Sequence, residues 1–76
     1  MFVELKAREY YKGGQITVKK LVSVFDIAEV SEYPKDCSCS LLHTRKGETY
    51  LLAERYDDVL RKIQQASERG ANNAGT

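Results

Sequence analysis

From Tyr56 onward the apolar residues change period. Tyr56, Val59, Leu60, Ile63 and Ala66 fall at i, i+3, i+4, i+7 and i+10, a single stripe along a helix. Upstream the period is two: in "FVELKARE", Val3, Leu5 and Ala7 alternate with Glu4, Lys6 and Arg8, as in a strand buried on one face. A chain whose alternation comes first and whose helical stripe comes last is expected to be α+β, a small antiparallel sheet of three to five strands with one C-terminal amphipathic helix packed across it. Asp57 and Asp58 fall in the first helical turn, where the helix dipole favours anions, and Asp58 is spaced to reach Arg61 or Lys62. Leu60 is the expected centre of the helix–sheet contact. Gly70 is the expected stop, which makes residues 1–69 one domain and 70–76 a disordered tail.

The turns are marked by glycine and proline. "YYKGGQ" supplies a hairpin connection in which Gly13 and Gly14 take positive φ. In "ITVKKLVSVFDIAEV", Ile16 and Val18 share a face and Val22 and Val24 continue it beyond Lys19-Lys20. That pattern predicts a strand through Val18, room for a kink at the lysine pair, and a second extended stretch from Leu21 to Val30, with a short helix at Phe25 to Val30 as the competing reading. "SEYPKD" is a loop. "CSCSLLHT" and "ETYLLAE" flank Lys46-Gly47, a hairpin turn whose glycine accepts a left-handed conformation. Pairing Leu41 with Leu52 and Leu42 with Leu51 would put leucines on both faces of that hairpin. One helix covers one face, so the other calls for a second copy of the chain, or for the N-terminal strand and Leu21 to Val30 to curl over it.

A chain of 76 residues buries barely enough surface to fold alone, which favours a homodimer. Its net charge is +1, from 12 Lys and Arg against 11 Asp and Glu, so no overall field attracts a polyanion and any such binding needs a local patch. The charge is segregated. Lys6, Arg8, Lys12, Lys19 and Lys20 face only Glu4 and Glu9 in the first twenty residues, whereas Asp26, Glu29, Glu32 and Asp36 face only Lys35 further on. "MFVELKAREYY" is too charged for a signal peptide, and no apolar run is long enough for a spanning helix. The expectation is a cytoplasmic protein with no membrane association.

"CSC" at 37 to 39 and His43 raise the question of a metal or redox site. On a strand, Cys37, Cys39 and His43 share one face. Cys39 and His43 would then lie about 13 Å apart at roughly 3.3 Å per residue, too far for one ion. Structural zinc wants four ligands at spacings such as C-x2-C, and redox cysteines want C-x-x-C. The cysteines read as small, mildly apolar strand residues. His43 lacks a positioned nucleophile, and Asp57 and Asp58 diverge by about 100° on a helix. No catalytic, metal or cofactor residues are assigned.

Five tyrosines are more informative. Arg8, Tyr10, Tyr11 and Lys12 interleave aromatic and basic groups at a strand end and, with Lys19 and Lys20, form a candidate interaction patch for a protein partner or, in the alternative reading, for nucleic acid.

Over residues 16 to 63, "ITVKKLVSV", an acidic linker and "LLHTRKGETYLLAERYDDVLRKI" resemble the small flagellar and swarming-motility proteins typified by FlbD and similar small phage and prophage proteins. Gly47, Tyr50, Leu51, Leu52, Glu54, Val59 and Ile63 occupy the corresponding places. Lys46 stands where those proteins usually have Asn or Asp, and Arg55 where they have a Ser that could cap the helix. The resemblance implies a β-rich α+β module of a bacterium or phage that binds another macromolecule and carries no catalytic residues. The function expected is therefore a non-enzymatic interaction or regulatory protein.

Overall fold

The computed structural model describes residues 1–74, with side-chain surroundings through residue 68. Five strands, β1 (Phe2–Tyr11), β2 (Gly14–Ser23), β3 (Ile27–Glu32), β4 (Ser40–Thr44) and β5 (Thr49–Leu52), precede one helix, α1 (Tyr56–Ala74). The strands form one antiparallel sheet in the order β2-β1-β5-β4-β3. The α+β expectation holds.

Alternation decides which side of the sheet is inside. Val3, Leu5 and Ala7 of β1 and Leu42 and Leu52 of the second hairpin are buried and meet Val59 of α1. Val18, Val22, Val24, Ile27, Val30, Tyr50, Ile63 and Ala66 pack around them. Each fully buried leucine or valine contributes roughly 1.5–3 kcal/mol by leaving water. Val59, not Leu60, is the centre of the helix contact: it has no exposed surface, while Leu60 is half-buried. The helix also passes Gly70 and continues to Ala74. Residues 75–76 of the expected tail lie outside the described residues.

The sheet cannot be flat. Its two edge strands, β2 and β3, are joined only by a 3-10 turn, Val24–Asp26. Four strand spacings of about 4.8 Å would separate flat edges by about 19 Å, whereas the chain from Ser23 to Ile27 spans at most about 14 Å. The sheet therefore curls into an open barrel around its inner face. Val24 N donates to Met1 O at 3.0 Å and Arg45 N to Asp26 O at 2.7 Å, tying the turn to both sides of the curl. No ladder joins β2 to β3 among the described residues, so the closure is partial.

Four local expectations are corrected. First, Tyr11 pairs with Gly14 and the turn is Lys12-Gly13, with φ of 51° and 78°. A two-residue connection matching the strand twist needs positive φ at both central residues, so Lys12 is left-handed and Gly14 is not. Second, β2 runs unbroken through Lys19-Lys20. Ile16, Val18, Lys20 and Val22 keep one parity, so Lys20 occupies an inner position and no kink is needed. Third, Leu41 pairs with Leu51, and Leu42 with Tyr50. Leucines do occupy both faces, with Leu42 and Leu52 inside and Leu41 and Leu51 half-buried outside.

Fourth, the cysteines are not on a strand. Asp36 Oδ1 accepts hydrogen bonds from Ser38 N at 2.9 Å and Ser38 Oγ at 2.6 Å, and Cys39 N donates to Asp36 O at 3.0 Å. Local side-chain to backbone bonds of this kind compete with a ladder. β4 therefore starts only at Ser40. Cys37 is exposed in the turn, and Cys39 is buried with its thiol 3.7 Å from Asp36 Oδ2.

The β4–β5 connection behaves as expected. Gly47 N donates to Thr44 O at 3.1 Å and Gly47 has φ 89°, a tight turn closed by a left-handed glycine.

Candidate functional site

The helix packs on the inner face, which leaves the outer face of the β1–β2 hairpin uncovered by it. Directly paired residues share a face, so the outer rows are Phe2 with Ser23, Glu4 with Leu21, Lys6 with Lys19, Arg8 with Thr17, and Tyr10 with Gln15. Arg8 also pairs with Leu51, and Leu51 with Leu41. One outer row thus crosses Thr17, Arg8, Leu51 and Leu41.

The two-residue turn fixes more than the faces. Tyr11 and Gly14 flank it as a hydrogen-bonded pair, and paired residues alternate between bonded and non-bonded from there. Lys6–Lys19 and Arg8–Thr17 are therefore non-bonded pairs, whose side chains approach most closely. By the same alternation the free N–H and C=O groups of Thr17, Lys19 and Leu21 point to the open edge of β2.

The candidate patch read from the sequence is divided by this geometry. Arg8, Tyr10 and Lys19 share the outer face, joined by Lys6, while Tyr11 and Lys20 point to the inner face and Lys12 lies in the turn. Lys12 Nζ sits 5.4 Å from the Tyr11 ring centroid. Lys20 is committed: its Nζ is 2.7 Å from Glu9 Oε2 and 5.0 Å from the Tyr50 ring centroid. The hydrogen bond that it donates to the Glu9 carboxylate holds its ammonium above the ordinary lysine pKa. Tyr50 in turn donates to Glu48 Oε2 at 3.1 Å, which pushes its phenol up. This inner cluster is a satisfied network at the barrel mouth.

A feature that sequence reasoning missed lies at the corner where β1 begins and β2 ends. Phe2 is 62% exposed, Leu21 68% and Phe25 65%, with Met1 beside them at 43%. Phe2 and Leu21 are diagonal neighbours on the outer face, and the Val24–Met1 bond brings the 3-10 turn carrying Phe25 to the same corner. Parity was the available signal. Phe2 and Leu21 are aliphatic or phenyl side chains at outward positions otherwise filled by Glu4, Lys6, Arg8, Tyr10, Gln15, Thr17, Lys19 and Ser23.

The histidine and cysteines are not brought together. His43 lies on the outer face, with Nδ1 3.0 Å from Thr49 Oγ1 and Nε2 3.8 Å from Glu29 Oε2. Cys39 is buried beside Asp36, so the shared face expected for Cys37, Cys39 and His43 does not form. The Ser38 hydroxyl and amide hold the Asp36 carboxyl below its ordinary pKa, with a smaller contribution from the charge of Arg8. Among the described residues no helix is long and apolar enough to cross a membrane. No protein-family model, curated protein or solved structure matches the chain.

Proposed function

We propose that this chain is a non-enzymatic interaction and regulatory module acting in the cytoplasm of a bacterium or its phage, and that it works as a homodimer docked through the Met1, Phe2, Leu21 and Phe25 corner. One observation carries the reading: large apolar side chains gathered at one corner, three of them exposed by more than half, which monomers rarely leave in water.

The FlbD-like pattern supports the same class of function. So does the state of the perturbed groups, since Lys20, Asp36 and Tyr50 each owe their shift first to a local hydrogen-bond partner, Glu9, Ser38 and Glu48 respectively. Dilution of labelled protein followed by amide chemical shifts tests the docking site. The amides of Phe2, Leu21 and Phe25 should move with concentration while those of Arg45 to Glu48 stay still. Shifts confined to the β4–β5 turn, or none at all, would overturn the assignment.

A further inference from the structure

We propose that the outer face of the β1–β2 hairpin binds single-stranded nucleic acid, with Lys6, Arg8 and Lys19 on phosphates and Tyr10 stacked on a base. Lys6 lies directly across from Lys19 in a closely approaching pair, an arrangement that is unfavourable for like charges unless an anion sits between them. Neither lysine belongs to an ion pair among the described residues, nor does Arg8. The contrast with the adjacent Lys20 is informative: the inner lysine has Glu9 and a tyrosine ring, while the outer one is left free.

Arg8 is the next outward residue on β1, and Asp36, the acid on which its charge acts, is already committed to Ser38. Tyr10 follows at the next outward position and is 82% exposed. Cations beside a bare aromatic ring on an open sheet face suit a strand whose bases are unstacked, because phosphates take the charges and a base takes the ring. An acidic protein segment would satisfy the lysines and leave Tyr10 without a role. With a net charge of only +1, binding must come from these local contacts and should be strongly salt-dependent. This surface lies beyond the apolar corner, and its test is independent of the dimer.

The test is fluorescence anisotropy with labelled oligothymidylate, repeated with a duplex and with polyglutamate. Binding to the single strand is expected at low salt, with log affinity falling against log salt at a slope of about −2 for three contacts. Lys19→Ala should make that slope shallower by about 0.7. Tyr10→Ala should weaken binding by about tenfold with the slope unchanged. Both side chains are exposed, so unchanged circular dichroism melts would confirm that the variants fold. The proposal fails if no single strand binds at low salt, if polyglutamate or duplex binds as tightly, or if Tyr10→Ala has no effect.

Discussion

Glu54 and Lys62 form an ion pair that fastens the helix to the sheet. The Glu54 side chain is 10% exposed and its Oε2 also accepts from the backbone N of Lys6 at 2.9 Å, while its carbonyl accepts from Ser40 Oγ at 2.9 Å. One residue thus joins β1, β4 and α1. Glu54→Ala should cost about 2 kcal/mol in urea unfolding, the loss of charged hydrogen bonds in a nearly buried place. Lys62→Met should cost under about 1 kcal/mol, because its ammonium end stays partly in water. Equal losses would show that the Lys6 amide contact contributes nothing.

Val59→Ala should destabilise more than Leu60→Ala although leucine is the larger residue. Val59 is fully buried among Leu5, Leu42 and Leu52, so its two lost methyl groups leave a cavity worth about 1–3 kcal/mol. Leu60 borders solvent and has less to lose. Thermal melts of the two variants decide it, and the reverse order would move the helix by about 100° around its axis.

The turn residues give a sharper contrast. Gly13→Ala and Gly47→Ala should each cost about 1 kcal/mol, since their φ values of 78° and 89° strain any side chain even though nothing lies within 4 Å of the added Cβ. Gly14→Ala should be nearly neutral, its Cβ meeting only Tyr11 O at 3.8 Å. Lys12→Asn should stabilise, because asparagine tolerates the left-handed conformation that Lys12 holds at φ 51°. Chemical denaturation midpoints report all four.

What the sequence made legible, and what it did not, follows from range. The strand alternation of Val3, Leu5 and Ala7, the helix start at Tyr56 and the Gly47 turn are local signals, and each appears where it was expected. The stripe could not choose between Val59 and Leu60, which are neighbours on it; the sheet beneath makes that choice. Lys20 looked like a break because a lysine at an inner position is explained only by Glu9 and Tyr50, residues distant in sequence. The cysteines looked like strand residues until Asp36 claimed the amide of Ser38. For the candidate surface, Arg8, Tyr10 and Lys19 were legible, but the division from Tyr11 and Lys20 required the pairing register. The positions of the FlbD-like pattern include Leu52 and Val59 in the core, Gly47 in a turn and Glu54 at the helix junction, so what they specify first is the fold.

Acid should loosen the 33–39 loop. The Asp36 carboxyl is held below its ordinary value of 3.8 by Ser38, so its folded-state pKa is lower than its unfolded one. Its contribution to stability is therefore present above the unfolded value and is lost as pH falls through the folded one. Asp36→Asn keeps an acceptor for Ser38 but removes the titration. Its stability should fall less steeply than that of the wild type as pH drops below about 4. Parallel curves for the two proteins would contradict this.

Sedimentation equilibrium across micromolar concentrations, on the wild type and on Leu21→Glu, tests the docking corner most directly. Leu21 is mostly exposed, so the charge can be introduced without disturbing the core. The wild type should show a mass rising with concentration from the 8.6 kDa of one chain toward that of two, and Leu21→Glu should remain at one. A wild-type mass of 8.6 kDa at every concentration, or a Leu21→Glu variant that associates as strongly as the wild type, would contradict the homodimer.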